Sequence, residues 1–190
     1  MVKKDATHNT YIALLRGINV GGNNIIKMSD LKACFEDMGF GSVATYIQSG
    51  NIVFESDHVE LETIEDKIRN GLYQNFSYNG TVVLISSHDL QRVIADAPED
   101  FGTDYDRYKY DVLYLKKPLT AREALEDIPV KESVDDAFAG PGVVYYRRSV
   151  EHLSKSRLNK LPSMPVYQNI TIRNWKTSNK ILEMVGGNKN

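Results

Sequence analysis

With 190 residues, 42% hydrophobic and 25% charged, the chain has the balance of an ordinary globular protein, which excludes a disordered chain and a fibrous repeat. Its longest apolar runs, such as Tyr11 to Leu15 and Val82 to Ile85, are too short for a bilayer, and no apolar segment follows the lysines of the start MVKKDATHNT. A single cysteine, Cys34, excludes an intramolecular disulfide and a cysteine-based zinc site, so a cytoplasmic protein with no membrane partner is expected.

Residues 1–9 read as a frayed start. Thr10 to Leu15 is nearly continuous in apolar character, as in a central strand, and runs into the glycine- and asparagine-rich loop RGINVGGNN. Ser29 is placed to cap a helix in which Leu31, Cys34, Phe35 and Met38 form one buried stripe, and Gly39 supplies its left-handed exit. Val43 to Ile47 and Ile52 to Phe54 are strands joined by Gln48-Ser49-Gly50-Asn51, with the special backbone angles on Gly50 or Asn51. A second helix carries Leu61, Ile64, Ile68, Leu72 and Phe76, and Tyr78-Asn79-Gly80 turns into the strand Thr81 to Ser86. The order β-α-β-β-α-β predicts a four-stranded antiparallel sheet with both helices on one face, the ferredoxin-like plait.

The second half repeats this grammar less regularly. Leu90, Val93, Ile94 and Ala97 are spaced as a helix, Tyr108 to Leu115 as a strand, and Thr120-Ala121-Arg122-Glu123 is a capping box that opens a short helix. Val134 to Ala139 and Val143 to Arg147 flank Gly140-Pro141-Gly142 as a hairpin, and Val150 to Leu161 reads as a basic helix broken by Pro162 and Pro165. The last element is a helix from Thr177 or Ser178 to Val185. The fold class is therefore α+β: two ferredoxin-like halves with antiparallel sheets, residues 10–86 and 87–185, packed as one unit, with 186–190 as a tail.

With the markers Leu15-Arg16-Gly17-Ile18-Asn19-Val20-Gly21-Gly22, Ser49-Gly50-Asn51 and Thr171-Ile172-Arg173-Asn174-Trp175 in place, the chain resembles, from Tyr11 to Leu182, the bacterial proteins called domain of unknown function 1697. The resemblance implies a tandem pair of α/β plaits in a cytoplasmic bacterial protein. It implies no established activity, catalytic residue or cofactor.

The loop is the place where chemistry can be sought. Gly17, Gly21 and Gly22 can take positive φ and let backbone amides converge on an anion, and Asn19 lies among them. Arg16 and Lys27 flank the loop as a clamp for phosphate or carboxylate near a helix N-terminus. Neither a Walker loop nor a dinucleotide fingerprint is present. The opposing reading is a sharp glycine turn whose asparagines bond their own backbone. Asn51 is placed to reach the loop from the hairpin, or to serve its own turn. Arg173 beside Trp175 offers a cation and an indole for a ligand, or a core anchor with the arginine held by carbonyls or a carboxylate.

No metal site is expected, since the four histidines lack ligand spacing, and the adjacent Asp135 and Asp136 point to opposite faces of a strand. The net charge of −2 hides an asymmetry: from Arg147 to Lys180, eight basic residues stand against Glu151 alone, a balance of +7. This run makes nucleic acid a candidate partner unless the acidic runs at 55–66 and 96–106 neutralise it. The leading functional reading is binding of a small phosphorylated or otherwise anionic ligand. A phosphoryl or acyl transferase with an unidentified base and a structural or oligomerising protein are the alternatives, and oligomeric state is left open.

Overall fold

A computed structural model of the protein describes residues 9–22 and 24–187. Of the expected frayed start 1–9 and tail 186–190, residues 1–8 and 188–190 lie outside the described residues, whereas Asn9 already belongs to the first strand and Gly186 and Gly187 to the last helix. The chain separates into two compact units, one running to Ser87 and resuming at Glu183, the other His88–Leu182.

In the first unit β1 (Asn9–Leu15) is followed by α1 (Met28–Asp37), β2 (Gly41–Tyr46), β3 (Asn51–Ser56), α2 (Leu61–Phe76) and β4 (Val82–Ser86). The sheet order is β2-β3-β1-β4, and every pairing is antiparallel, with Tyr11 opposite Phe54, Ala13 opposite Ile52 and Leu14 opposite Val83. This is the plait that the stripes predict. Strand alternation sends Tyr11, Ala13 and Leu15 to one face, where they form one core with Leu31, Cys34 and Phe35 of α1 and Ile64, Ile68 and Leu72 of α2. Ile12, Leu14, Val53 and Val83, on the other face, are buried too, which explains why β1 reads as a continuous apolar run. Each such side chain contributes about 1.5–3 kcal/mol of burial.

The ends of the helices differ in detail from the sequence reading. Met28 opens α1, Lys27 is its N-cap with no side-chain cap bond, and Ser29 Oγ donates to Asp30 instead. Gly39 has φ +80° as expected, but the exit from α2 falls on Ser77 at φ +52°.

The second unit holds α3 (Ser87–Ala95, its first residue closing the first unit), β5 (Tyr108–Leu115), α4 (Ala121–Asp127), β6 (Asp135–Gly140), β7 (Val143–Ser149) and β8 (Ile170–Asn174). From it α5 (Trp175–Gly187) continues. The order β6-β7-β5-β8, again all antiparallel, repeats the first sheet strand for strand. The capping box at Thr120 and Glu123 is formed. Two expectations fail. Val150 to Leu161 is not a helix: three short 3-10 turns, Leu153–Lys155, Arg157–Ser163 and Pro165–Asn169, make the crossover. Ser156 caps the second turn, Asp135 accepts from the Arg157 amide, and Pro162 and Pro165 prevent a continuous ladder. Ile170–Asn174, assigned no element from sequence, is the edge strand β8, and α5 starts at Trp175, earlier than the spacing suggests.

One face of the second sheet packs Leu113, Leu115, Val144, Tyr146 and Ile170 against Ala121 and Ala124 of α4. The other carries a polar-aromatic layer. Tyr145 Oη donates to the Val93 carbonyl at 2.7 Å, Tyr114 Oη donates to Ser178 Oγ at 2.9 Å, and Phe101 meets Tyr110, Tyr145 and Trp175 edge-on. The tyrosines are thus mainly sheet packing. Trp175 is a half-buried anchor seated against Gly102, where a Cβ would stand 2.2 Å from its ring.

Candidate functional site

The loop between β1 and α1 is held from both ends by backbone bonds. Leu15 N–H donates to Gly50 O at 2.8 Å and Arg16 N–H to Thr81 O at 2.9 Å, while Tyr78 Oη donates to Arg16 O at 2.7 Å. Ile18 and Ile26 are buried and root the loop in the core.

Asn19 ties the two ends of the loop together. Its Nδ2 donates to Ile26 O and to Gln48 O, both at 2.9 Å, and its Oδ1 accepts the Ile26 amide at 2.8 Å. Both amide hydrogens are thereby used, and φ +53° marks the left-handed region that asparagine tolerates. Asn19 N–H donates to Asn24 O, and Asn24 Nδ2 donates back to Gly17 O at 3.1 Å. Gly21 and Gly22 form the tip, with φ +61° and +78° in succession, the signature of a type I′ turn. Asn19 and Asn24 therefore do bond the loop's own backbone, as the opposing sequence reading holds.

The same geometry leaves an exposed backbone surface. A Cβ added at Gly17, Gly21 or Gly22 would meet no atom within 4 Å, so these glycines do not make room for another part of the chain. Gly50 is the contrast: its Cβ would fall 2.8 Å from Leu15 Cβ and 2.9 Å from Ile18 Cδ1. Lys27, the N-cap of α1, is exposed and makes no side-chain cap bond, and Arg16 is half-buried just after β1. Val20 and Ile25 are exposed beside them, as is Ile47 on the hairpin that Asn19 ties to the loop through Gln48.

Arg16, Gly17, Asn19, Gly21, Gly22 and Lys27 thus share one loop. Asn51 follows Gly50, whose carbonyl accepts from Leu15, but its side chain is buried and donates to Tyr46 O at 2.9 Å and Ser49 Oγ at 3.0 Å, serving its own turn. Arg173 belongs to the second unit, where it is buried and donates to Thr171 Oγ1 and to the Ile172 carbonyl. Two partners escape sequence reasoning, the Tyr78 hydroxyl and the Gln48 carbonyl, because each meets the loop only through tertiary structure.

The charges of the basic run are partly spent. Arg147 pairs with Asp136 at 2.9 Å and Arg148 with Asp111 at 2.6 Å, so these neutralising acids lie outside both acidic runs of the sequence. Burial pushes the Asp111 carboxyl above its ordinary value, with Arg148 and Lys109 pulling against that shift. Asp135 and Asp136 diverge as strand alternation requires: Asp135 is buried and accepts the Lys131 and Arg157 amides. Cys34 is buried in the α1 stripe, and burial, helped by Asp37, raises its thiol. Among the described residues no group of three His, Cys, Asp or Glu side chains could hold a metal ion, and no helix is long and apolar enough to cross a membrane.

Two antiparallel plaits of identical strand order, the first bearing an extended glycine-rich loop, define the class: a tandem α/β plait protein. The chain belongs to the family DUF1697, described as proteins of unknown function, whose model matches residues 8–146. It is also similar to the structure of the conserved bacterial protein SP0830 from Streptococcus pneumoniae, at 28% identity and a TM-score of 0.81 over 94% of this chain and 99% of that one. No curated protein matches it.

Proposed function

We propose that the loop from Arg16 to Lys27 binds a small phosphorylated or otherwise anionic ligand. The observation that carries this reading is the open space around Gly17, Gly21 and Gly22: their backbone can be approached closely, and no packing contact among the described residues uses that freedom. Three features support it. Asn19 and Asn24 fix the loop, so little order has to be gained on binding. Arg16 and Lys27 bring positive charge to its two ends. The start of α1, whose N-cap Lys27 makes no side-chain cap bond, favours negative charge there.

A transfer reaction would take its base from elsewhere, because the loop RGINVGGNNIIK contains no carboxylate, imidazole or thiol. Binding alone is therefore the proposal. It is tested by thermal unfolding with inorganic phosphate and with nucleotides. At a hundredfold excess over Kd a ligand stabilises by about 2.7 kcal/mol, which for a chain of this size is a rise of roughly 5–10 °C. Arg16→Ala and Lys27→Ala should each remove the rise, and Lys27→Ala, at an exposed position, should leave the ligand-free melting temperature nearly unchanged. Equal loss of stability with and without the anion, or no rise at tens of millimolar phosphate or nucleotide, overturns the reading.

A further inference from the structure

The edge strand β6 is built to pair with another strand, and we propose that it pairs with β6 of a second copy of this chain. Edge strands are commonly guarded by lysine, proline, a bulge or a break in register. The edge strand β2 has such a guard, a register shift between Gly41 and Ala44. Strand β6, with the sequence DDAFAG, has no basic residue or proline, and it keeps unbroken register with β7 from Asp135 opposite Arg148 to Gly140 opposite Val143.

The hydrogen-bond phase shows which groups face outward. Ser149 N–H donates to Val134 O at 2.8 Å, so Val134, Asp136, Phe138 and Gly140 are the residues whose amides and carbonyls turn toward β7. Asp135, Ala137 and Ala139 turn away, and the Asp135 amide is already taken by Lys131 O at 2.8 Å. Ala137 and Ala139 remain as an outward-facing ladder, with Ala139 and Phe138 exposed.

This ladder is self-complementary. An antiparallel two-fold pair centred on Phe138 places Ala137 opposite the partner's Ala139 and Ala139 opposite the partner's Ala137, each closing a reciprocal N–H···O pair. Phe138 then faces the partner's Phe138 in the closer, non-hydrogen-bonded position. The charges agree with that register. Asp136 comes opposite the partner's Gly140, so no carboxylate faces a carboxylate. The Arg147 guanidinium, 5.9 Å from the Phe138 ring centroid, already carries its counterion, Asp136, at 2.9 Å. A two-fold contact thus brings together apolar rings and neutralised arginines.

Such a contact is narrow, short of the roughly 800 Å² per partner of a stable complex, so the dimer forms at high protein concentration, on the order of 0.1–1 mM. Sedimentation equilibrium should show the average mass rising toward that of a dimer across this range. Ala139→Pro removes an outward amide while leaving the bonds to β7 intact, and should keep the chain monomeric with a normal circular dichroism spectrum. Should it fail to fold, Ala139→Lys is judged by the same measure. Register is tested separately with oxidised glutathione. Phe138→Cys places thiols across the axis at about 4.5 Å between Cα atoms, within disulfide reach, whereas two Asp136→Cys sites lie about 14 Å apart along the strands. The expected result is a covalent dimer at least about tenfold more abundant for Phe138→Cys. A chain monomeric at 1 mM, a Pro or Lys variant that associates like the parent, or equal cross-linking of both cysteine variants overturns the proposal.

Discussion

Replacing Gly50 by alanine separates packing from conformation in the first unit. Gly50 sits at φ +71°, where an alanine costs about 1–2 kcal/mol. The new Cβ would also stand 2.8 Å from Leu15 Cβ and 2.9 Å from Ile18 Cδ1. Leu15 cannot retreat cheaply, since its amide is bonded to the Gly50 carbonyl at 2.8 Å, so the overpacking adds about 1–3 kcal/mol. The total is about 3 kcal/mol, a fall of roughly 6–12 °C. Gly21→Ala is the control. At φ +61° with no atom within 4 Å it carries the conformational cost alone, about 1 kcal/mol. Urea unfolding of both variants measures the difference, and adding Ile18→Val to Gly50→Ala should recover part of it by removing Cδ1. Equal destabilisation by the two alanines, or no recovery with valine, would refute the claim that Gly50 is required by close approach as well as by its turn.

The pair Asp111 and Arg148 gives a pH-dependent effect. Because the folded Asp111 carboxyl titrates above its unfolded value, its contribution is fully present below the unfolded pKa and is lost as pH rises through the folded one. Arg148→Met strands the carboxylate, so it should cost about 3 kcal/mol near pH 7 and much less near pH 3, as urea titrations at the two pH values would show. Tyr114, pushed up to about 12 by burial, acts in the same sense at the alkaline end: its stabilising contribution holds below pH 10 and is lost as pH rises through 12. Ultraviolet titration should therefore find Tyr114 ionising late or only on unfolding, and Tyr114→Phe should lower the late amplitude by one tyrosine, since burial also raises Tyr145 and Tyr146. A normal midpoint near 10 in the folded protein would contradict it.

The first plait is legible in the sequence because its signals agree: two helical stripes, alternating strands, and a hairpin around Gly50. In the second unit they conflict. Strand β8 alternates Ile170, Thr171, Ile172 and Arg173, which looks half-exposed, yet Thr171 and Arg173 are buried in the polar layer of the sheet. The basic stretch after β7 offers Leu153, Leu158 and Leu161, too few apolar residues to distinguish a helix from 3-10 turns, and the bonds that fix the turns come from Asp135 on another strand. At the loop, sequence identifies the glycines, but it cannot tell that Asn19 is spent on Ile26 and Gln48 or that Asn51 faces its own turn.

The repeated topology provides an internal measure of what the loop is for. In both sheets the central strand passes to a helix that crosses to the far edge: β1 to α1 in one, β5 to α4 in the other. The second crossing uses residues 116–120 and ends in a capping box. The first uses residues 16–27 and ends on Lys27 with no side-chain cap. A short, capped connection therefore suffices for this crossover, and the first unit has a longer one at the expense of a cap that typically contributes about 1 kcal/mol. The extra length is not slack: Ile18 and Ile26 are buried, Asn19 and Asn24 cross-tie the segment, and two left-handed glycines hold its tip in solvent. An extension that the topology does not require, flanked by Arg16 and Lys27, is what the proposed anion binding would account for.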